Sequence, residues 1–162
     1  MQIRFAGPED ADVILRFIRE LAEYEREPDA VEATVEALAT QMRAPHPPFE
    51  CLLAERGSET GREPLGMALF FHTYSTWRAR QGIHLEDLWV TPDARRLGVG
   101  RALLARLAAL TVERGCGRLE WSVLDWNELA LSFYRGVGAA PMDEWTVWRL
   151  DGDALEALAD AD

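Results

Sequence analysis

Apolar positions along the chain follow two spacings, and each spacing predicts a different kind of element. Near the start, apolar residues recur every three or four places, which predicts a helix with one buried stripe (Val13, Ile14, Phe17, Ile18, Leu21). Short apolar runs predict strands over 3–6, 49–55, 65–72, 83–91, 119–124 and 145–150. Further helices are predicted over 31–42, from the segment near residue 100 to about 114, from 127, and over 151–159.

An Arg-x-x-Gly-x-Gly segment, residues 95–101, joins the strand ending near Val90 to the next predicted helix. Such a strand-to-helix junction directs backbone N–H groups and the positive end of the helix dipole at one place. Gly98 and Gly100 let the backbone approach a ligand closely because they have no Cβ. The segment therefore predicts a phosphate or pyrophosphate site; the alternative is a tight strand–helix turn without a ligand.

Two common phosphate-binding motifs do not fit this segment. A P-loop requires Gly-Lys-Ser/Thr, whereas Gly100 precedes Arg101 and the chain contains no lysine. A dinucleotide fingerprint requires a third glycine and a place near the first strand, and the segment has neither. The remaining interpretation is the pyrophosphate loop of an acyl-CoA-dependent enzyme.

Glu86 and Asp87 are adjacent acids in the middle of an otherwise apolar strand. Carboxylates in such a place are costly unless they are paired or used. A regular strand would put Leu85, Asp87 and Trp89 on one face and Glu86 on the other. The pair predicts a functional site, and the alternative is a strand end near solvent with an arginine partner.

Taken together, these segments resemble the GNAT superfamily of N-acetyltransferases, in particular its spermidine/spermine and thialysine branch. The motifs occur in the expected order over nearly the whole chain, at 18–25, 74–77, 85–90, 95–101, 123–127, Phe133-Tyr134 and Gly138-Ala139. The resemblance implies a single α/β domain over 1–162, with a mixed, mostly antiparallel central sheet and helices on both faces.

The resemblance also implies acetyl-CoA as the acetyl donor, with no metal. The pantetheine arm would pair with the backbone of a bulged strand at Leu88, Trp89 and Val90, and would also contact Asn127 and Ala130. The pyrophosphate would bind the loop formed by Arg95, Arg96, Leu97, Gly98, Val99, Gly100 and Arg101.

Acetyl transfer to an amine needs a proton acceptor and a proton donor. A primary amine, with a pKa of about 10, arrives charged, so a carboxylate must take its proton directly or through water. Glu86 is the candidate base, and Tyr134 is the candidate acid that protonates the departing thiolate. The alternative for Tyr134 is an aromatic residue buried in the apolar stripe of its helix.

Residues lining the amine site follow from the resemblance alone (Tyr24, Glu25, Trp77, Glu86, Asp87, Glu120, Trp121, Ser122). The chain departs from the branch at Ser75 and Thr146, where the branch tends to carry acids. Arg78 and Arg80 lie close to the first departure, so a long polycation such as spermidine is less favoured. The residues favour a short diamine or a thialysine-like amine.

The composition and charge limit the kinds of partner that the chain is expected to bind. The net charge of −11 argues against a nucleic-acid partner, and it either steers a cationic substrate or simply maintains solubility. No apolar run reaches the length of a transmembrane helix, and no signal peptide is recognised, which predicts a cytoplasmic protein. Cys51 and Cys116 have no metal-ligand spacing. The resemblance further implies a homodimer.

Two other functions remain open from the sequence. One is a GNAT enzyme for another acceptor, such as an amino acid, a drug or a protein amine. The other is a non-catalytic acyl-CoA-binding module, against which the retention of both Glu86 and Tyr134 argues.

Overall fold

The computed structural model describes residues 1–58 and 61–161, which form two compact units, Met1–Ser122 and Val123–Asp162. The described part of the first unit contains the strands β1 Gln2–Phe5, β2 Glu50–Ser58, β3 Gly61–Ser75, β4 Arg80–Val90 and β5 Leu119–Trp121. Its helices are α1 Ala11–Glu25, α2 Val35–Met42 and α3 Val99–Glu113, and the second unit contains α4 Glu128–Gly136 and α5 Gly152–Ala159. That residues 1–162 form one domain stays a prediction.

The five strands of the described chain form one sheet in the order β1-β2-β3-β4-β5. Neighbouring strands are antiparallel from β1 to β4, whereas β5 runs parallel to β4. A parallel pair needs a crossover connection, which α3 supplies between β4 and β5. The predicted mixed, mostly antiparallel sheet is confirmed.

The core consists of two apolar layers, one on each face of the sheet. Alternate residues of β2 and β3 pack with α1 and α2 (Ile14, Phe17, Leu38, Cys51, Leu53, Met67, Leu69). Strand alternation turns the residues between them toward the other face, where α3 packs (Leu52, Ala68, Phe70, Leu103, Leu107). Helices therefore cover both faces, as predicted.

Helix α1 brings its last turn to β4. Its buried stripe holds Ile14 and Phe17 at 0% exposure, so the helix is fixed along the sheet. It ends at Arg26, which adopts a left-handed conformation with φ 69°. Tyr24 and Glu25 occupy this last turn, and the Tyr24 ring lies 6.0 Å from the ring of Trp89 on β4.

An ion-pair network joins β1, β2 and the start of α1. The Arg4 guanidinium donates to Asp10 Oδ2 at 2.6 Å and to Glu55 Oε1 at 2.7 Å. Both acids are buried, at 8% and 4% exposure. The hydrogen bond from Arg4 lowers the pKa of Asp10 below its usual value. This network ties β1 and β2 to the start of α1.

Several predicted boundaries differ from the structure. The predicted strand over 145–150 is wrong, because residues 145–150 belong to no strand or helix. The strand predicted over 119–124 ends at Trp121. Helix α2 begins at Val35 because the Thr34 side chain caps it by accepting from Ala37 N at 3.1 Å. Strands β2 and β3 both extend into the segment between the strands predicted over 49–55 and 65–72, and Glu59 and Thr60 of that segment lie outside the described residues.

Candidate active site

A bulge in β4 separates the two adjacent acids. In the β3–β4 ladder Leu69 pairs with Asp87 and Phe70 pairs with Leu85, so Glu86 is the extra residue. One extra residue reverses the alternation on its far side. Leu85 therefore does not share a face with Asp87, and the regular alternation expected from the sequence is wrong. Asp87 lies on the face that packs against α1, opposite Leu69.

The bulge also marks the point where β4 and β5 part. Parallel pairing with β5 covers Ile83, His84 and Leu85 and stops there. In the ladders of the described chain, the stretch from Leu88 to Val90 pairs with β3 alone. Its other edge offers backbone N–H and C=O groups to an extended ligand, which is the geometry that an added strand uses. The backbone predicted to bind the pantetheine arm fits that role.

The loop after β4 ends in an anion-binding arrangement. Gly98 adopts φ 82° and caps α3, whose first intrahelical bond runs from Ala102 N to Gly98 O at 3.0 Å. The backbone N–H groups of Val99, Gly100 and Arg101 therefore have no carbonyl partner within the helix. The positive end of the α3 dipole adds to them, so the loop suits a pyrophosphate.

Side chains of the loop divide into exposed and structural ones. Arg96, Leu97 and Arg101 are exposed, whereas the Val99 side chain is 2% exposed and belongs to the core. Arg96 holds a left-handed conformation with φ 64°, which is costly for a residue other than glycine. A retained arginine at such a position is consistent with a guanidinium used for ligand binding.

Arg95 is engaged within the protein. Its guanidinium lies 4.9 Å above the Trp89 ring and 5.1 Å from the Tyr24 ring, and its Nε donates to Val90 O at 3.3 Å. Trp89 in turn donates its indole N–H to Glu20 Oε2 at 2.7 Å. Arg95 thus ties the loop to β4 and α1, and its contact with a pyrophosphate stays a prediction.

Three carboxylates from two elements lie near the bulge. Asp87 is partly buried, and this burial, followed by the negative charges of Glu86 and Glu25, raises its pKa to about 6. Burial also raises the pKa of Glu25. Glu86, in contrast, is more than half exposed. A cluster of mutually repelling acids is stabilised by a bound cation, as an amine acceptor would supply.

Residues of β5 border the same region. Glu120 lies opposite His84 in the parallel ladder, and its Oε2 lies 2.6 Å from Arg118 Nε. Trp121 pairs with Leu85, next to the bulge, and Ser122 is exposed just beyond the strand. The charge of Glu120 is thus matched by Arg118, which weakens its suitability for holding an ammonium group.

Trp77 does not join this group within one chain. It occupies the turn between β3 and β4 and is 89% exposed. From Arg80, at the start of β4, to Glu86 the strand is about 20 Å long at its usual rise per residue. Ser75, at the end of β3, is buried, so it does not present a hydroxyl at the surface.

In the second unit, one helix carries the remaining predicted residues. Asn127 caps α4, and its side chain accepts from Ala130 N at 3.2 Å. Tyr134 is partly exposed and lies seven residues further along, which returns it to the same side of the helix. Its ring lies 5.3 Å from that of Phe133. Thr146 is exposed and belongs to no strand.

Sequence reasoning missed His84. Its Nε2 lies 3.6 Å from Glu86 Oε2, and its ring lies 5.1 Å from that of Phe71. The available signal was a titratable residue two places before the candidate base on an apolar strand.

Within the described residues, no cluster of His, Cys, Asp and Glu is arranged to hold a metal ion, and no helix is long and apolar enough to cross a membrane.

Comparison with known proteins agrees with this geometry. The model of the acetyltransferase (GNAT) family matches residues 14–139. A thialysine N-epsilon-acetyltransferase from Bos taurus is 39% identical, over 98% of this chain and 97% of the relative. The enzyme of the same name from Caenorhabditis elegans is 38% identical, over 94% and 93% of the two chains.

A solved structure supports the fold. An integron cassette protein from V. cholerae superposes with a TM-score of 0.79 over 99% of this chain and 98% of its own, at 24% identity. The expected resemblance to the thialysine branch is confirmed by the full-length relatives. The chain therefore belongs to the acetyltransferase (GNAT) family and is an enzyme of that family.

Proposed function

We propose that this protein transfers the acetyl group of acetyl-CoA to a primary amine of a small cationic molecule, either thialysine or a short diamine. The observation that carries the acceptor class is the cluster of Glu25, Glu86 and Asp87 at the bulge of β4. Repulsion within the cluster contributes to the raised pKa of Asp87, so binding of an ammonium group is favoured there. The relatives named for thialysine agree with a short acceptor.

The proposed acetyl-CoA site binds its ligand through backbone N–H and C=O groups more than through side chains. Acetyl-CoA supplies an activated acetyl thioester when it is bound. The N–H groups of Val99, Gly100 and Arg101 suit its pyrophosphate, and the open edge from Leu88 to Val90 suits its pantetheine arm. Exposed Arg96 and Arg101 add positive charge at the loop. We assign Arg95 to support of this loop through its contacts with Trp89 and Tyr24.

Glu86 is the proposed proton acceptor for the amine. It is exposed at the point where β4 and β5 part, so an acceptor can reach it. The neutral nitrogen then attacks the thioester carbonyl, the new N–C bond forms and the C–S bond breaks. Tyr134 is proposed to give its proton to the departing sulfur, and the second proton that the nitrogen loses once the N–C bond has formed restores the tyrosine, while Glu86 releases its proton to solvent. Asn127 and Ala130, which form the N-cap of the same helix, are proposed to border the pantetheine arm.

Asp87 and Glu25 are proposed to hold positive charge on the acceptor, with Tyr24, Trp121 and Ser122 as neighbours. Glu120, paired with Arg118, is proposed to border the site without binding the ammonium directly. These roles favour a short acceptor, because the acids proposed to bind its positive charge are few and lie close together. The buried Ser75, where the branch tends to carry an acid, also argues against spermidine.

We further propose a homodimer and a cytoplasmic location. The dimer is supported by exposed apolar side chains in the second unit (Trp145, Val147, Trp148, Leu155, Leu158) and by exposed Trp77 in the first. Exposed apolar surface often marks a site of contact with another protein chain. In a dimer Trp77 is free to border the site of the other copy, although it lies far from its own. Sedimentation of the purified protein at several concentrations tests the oligomeric state.

The acceptor is tested by measuring free thiol released from acetyl-CoA across a panel of amines. The panel holds thialysine, lysine, ornithine, putrescine, spermidine and a peptide with a free N-terminus. We expect the highest kcat/KM for thialysine or a short diamine. A preference for the peptide would assign the enzyme to a protein acceptor, and a preference for spermidine would overturn the argument from Ser75.

A further inference from the structure

His84 and Glu86 are in contact on the bulged strand. His84 Nε2 lies 3.6 Å from Glu86 Oε2, which is within the range of an ion pair and longer than a hydrogen bond. Contacts of this kind are often long before substrate binds and tighten afterwards. The His84 side chain is about one quarter exposed, at 25%, whereas that of Glu86 is 56% exposed. The imidazole therefore forms a partly buried wall beside the exposed carboxylate.

The structure fixes the imidazole from the neighbouring strands. On β3, Phe71 is the register partner of His84, with ring centroids 5.1 Å apart and planes tilted by 31°. On β5, Glu120 is the register partner, and its carboxylate is matched by Arg118 at 2.6 Å. Glu86 is the carboxylate that remains for the imidazole to contact.

The other charged neighbours of Glu86 are acids. Asp87 follows it on β4, and Glu25 acts on Asp87 from the end of α1. Like charges repel the exposed carboxylate, so a contact on its other side helps to fix its position. Among the charge contacts of the described residues, His84 is the basic side chain that contacts Glu86.

We propose that His84 is a positioning residue for acetyl transfer, which holds the Glu86 carboxylate oriented toward the amine. This inference rests on the proposed function, since it gives a partner to the proposed base. It assigns His84 no contact with the substrate.

The activity test compares His84→Phe with His84→Gln and with the wild-type enzyme. Phenylalanine keeps the contact with Phe71 and removes the imidazole, whereas glutamine keeps a hydrogen-bond donor. In His84→Phe we expect kcat to fall about tenfold, because a base that is no longer held in place takes the proton of the amine less often. We also expect an unchanged KM for acetyl-CoA, with His84→Gln in between. His72→Phe, on the adjacent strand, is the matched control and leaves kcat unchanged.

A loss of kcat in His84→Phe that comes with an equal loss of acetyl-CoA affinity, or that is just as large in His84→Gln, would mean that His84 is only structural, and would overturn the proposal. A second readout does not depend on turnover. Carboxyl-¹³C NMR at a fixed pH follows the surroundings of the Glu86 carboxylate directly, and we expect its signal to move in His84→Phe and to stay in place in His72→Phe.

An unchanged Glu86 signal in His84→Phe would overturn the proposal whatever the activity result. A shifted signal in a protein that releases no thiol with any amine would support the role of His84 at Glu86 and would instead contradict the proposed function. The two failures are thereby distinguishable.

Discussion

Asp87 lies directly opposite Leu69 in the β3–β4 ladder, so its carboxylate is on the face of the sheet that packs against α1. The bulge at Glu86 produces this arrangement by shifting the register between Leu85 and Asp87. The consequence is a carboxyl group whose pKa is raised to about 6, mainly by burial.

This relationship predicts that Asp87→Asn stabilises the protein at pH 8. A group whose pKa is higher in the folded than in the unfolded chain binds more protons when folded, so stability falls as pH rises from about 4 to above 6. Removing the charge should raise the free energy of unfolding by about 1 to 3 kcal/mol at pH 8 and by almost nothing at pH 4.

Urea unfolding at both pH values measures the difference. Asp93→Asn is the matched control, because Asp93 is exposed just after β4. An Asp87→Asn variant that is less stable than the wild type at pH 8 would contradict the argument from burial. The same variant should lose affinity for the cationic acceptor.

Arg96→Gly is expected to weaken acetyl-CoA binding while leaving the fold intact. Glycine adopts the φ of 64° at this position without strain, so the loop keeps its path. Loss of the guanidinium should raise the Kd for acetyl-CoA about tenfold, the usual effect of one charge-assisted contact. Calorimetric titration measures the Kd. Arg26→Gly is the matched control: Arg26 is also left-handed but ends α1, and its replacement should leave that Kd unchanged. Equal increases of the Kd in Arg96→Gly and Arg26→Gly would mean that the loss of affinity comes from added backbone freedom and not from the missing guanidinium.

Tyr134→Phe is expected to lower kcat on the order of 100-fold, because the proposed proton donor is removed. The aromatic ring and its contact with Phe133 remain, so acetyl-CoA affinity should stay close to that of the wild type. Steady-state kinetics and binding are measured side by side. Tyr74→Phe, at an exposed tyrosine of β3, is the control. A loss of affinity as large as the loss of kcat would instead indicate a structural tyrosine.

Arg4→Gln is expected to destabilise the protein by about 2 to 4 kcal/mol without changing activity per folded molecule, because it removes the guanidinium that buried Asp10 contacts and leaves buried Glu55 with the longer contact to exposed Arg62, at 3.4 Å. The pKa of Asp10 is lowered in the folded chain, so its contribution is present at neutral pH and is lost as pH falls. The variant should therefore show a smaller loss of stability on acidification. Arg56→Gln, in an exposed pair with Glu63, is the control and should change little.

Much of the fold and the donor loop was predictable from local patterns. The glycines at 98 and 100 and the apolar strand before them indicated a strand–turn–helix unit, and α3 begins at Val99 as such a unit requires. The adjacent acids in β4 indicated a functional site because acids are costly in an apolar strand. These inferences depend on neighbours in the sequence, which a single chain displays.

Other features depend on contacts distant in sequence. The register shift at Glu86 arises from pairing with β3, so regular alternation put Leu85 and Asp87 on one face when they lie on opposite faces. Arg95 contacts both Trp89 of β4 and Tyr24 of α1, so its position depends on the packing of these two elements. The apolar run over residues 145–150 suggested a strand, but strand formation needs a ladder partner, and in the structure these residues have no strand pairing.

The central claim is acetyl transfer to a short cationic amine, and its most direct test is the reaction of the purified protein with acetyl-CoA and thialysine. Thiol release and the mass of the acceptor are measured together. The account predicts one thiol released for each acetyl group found on the terminal amine of thialysine. Acetyl-CoA binding without any acetylated thialysine or short diamine would contradict it.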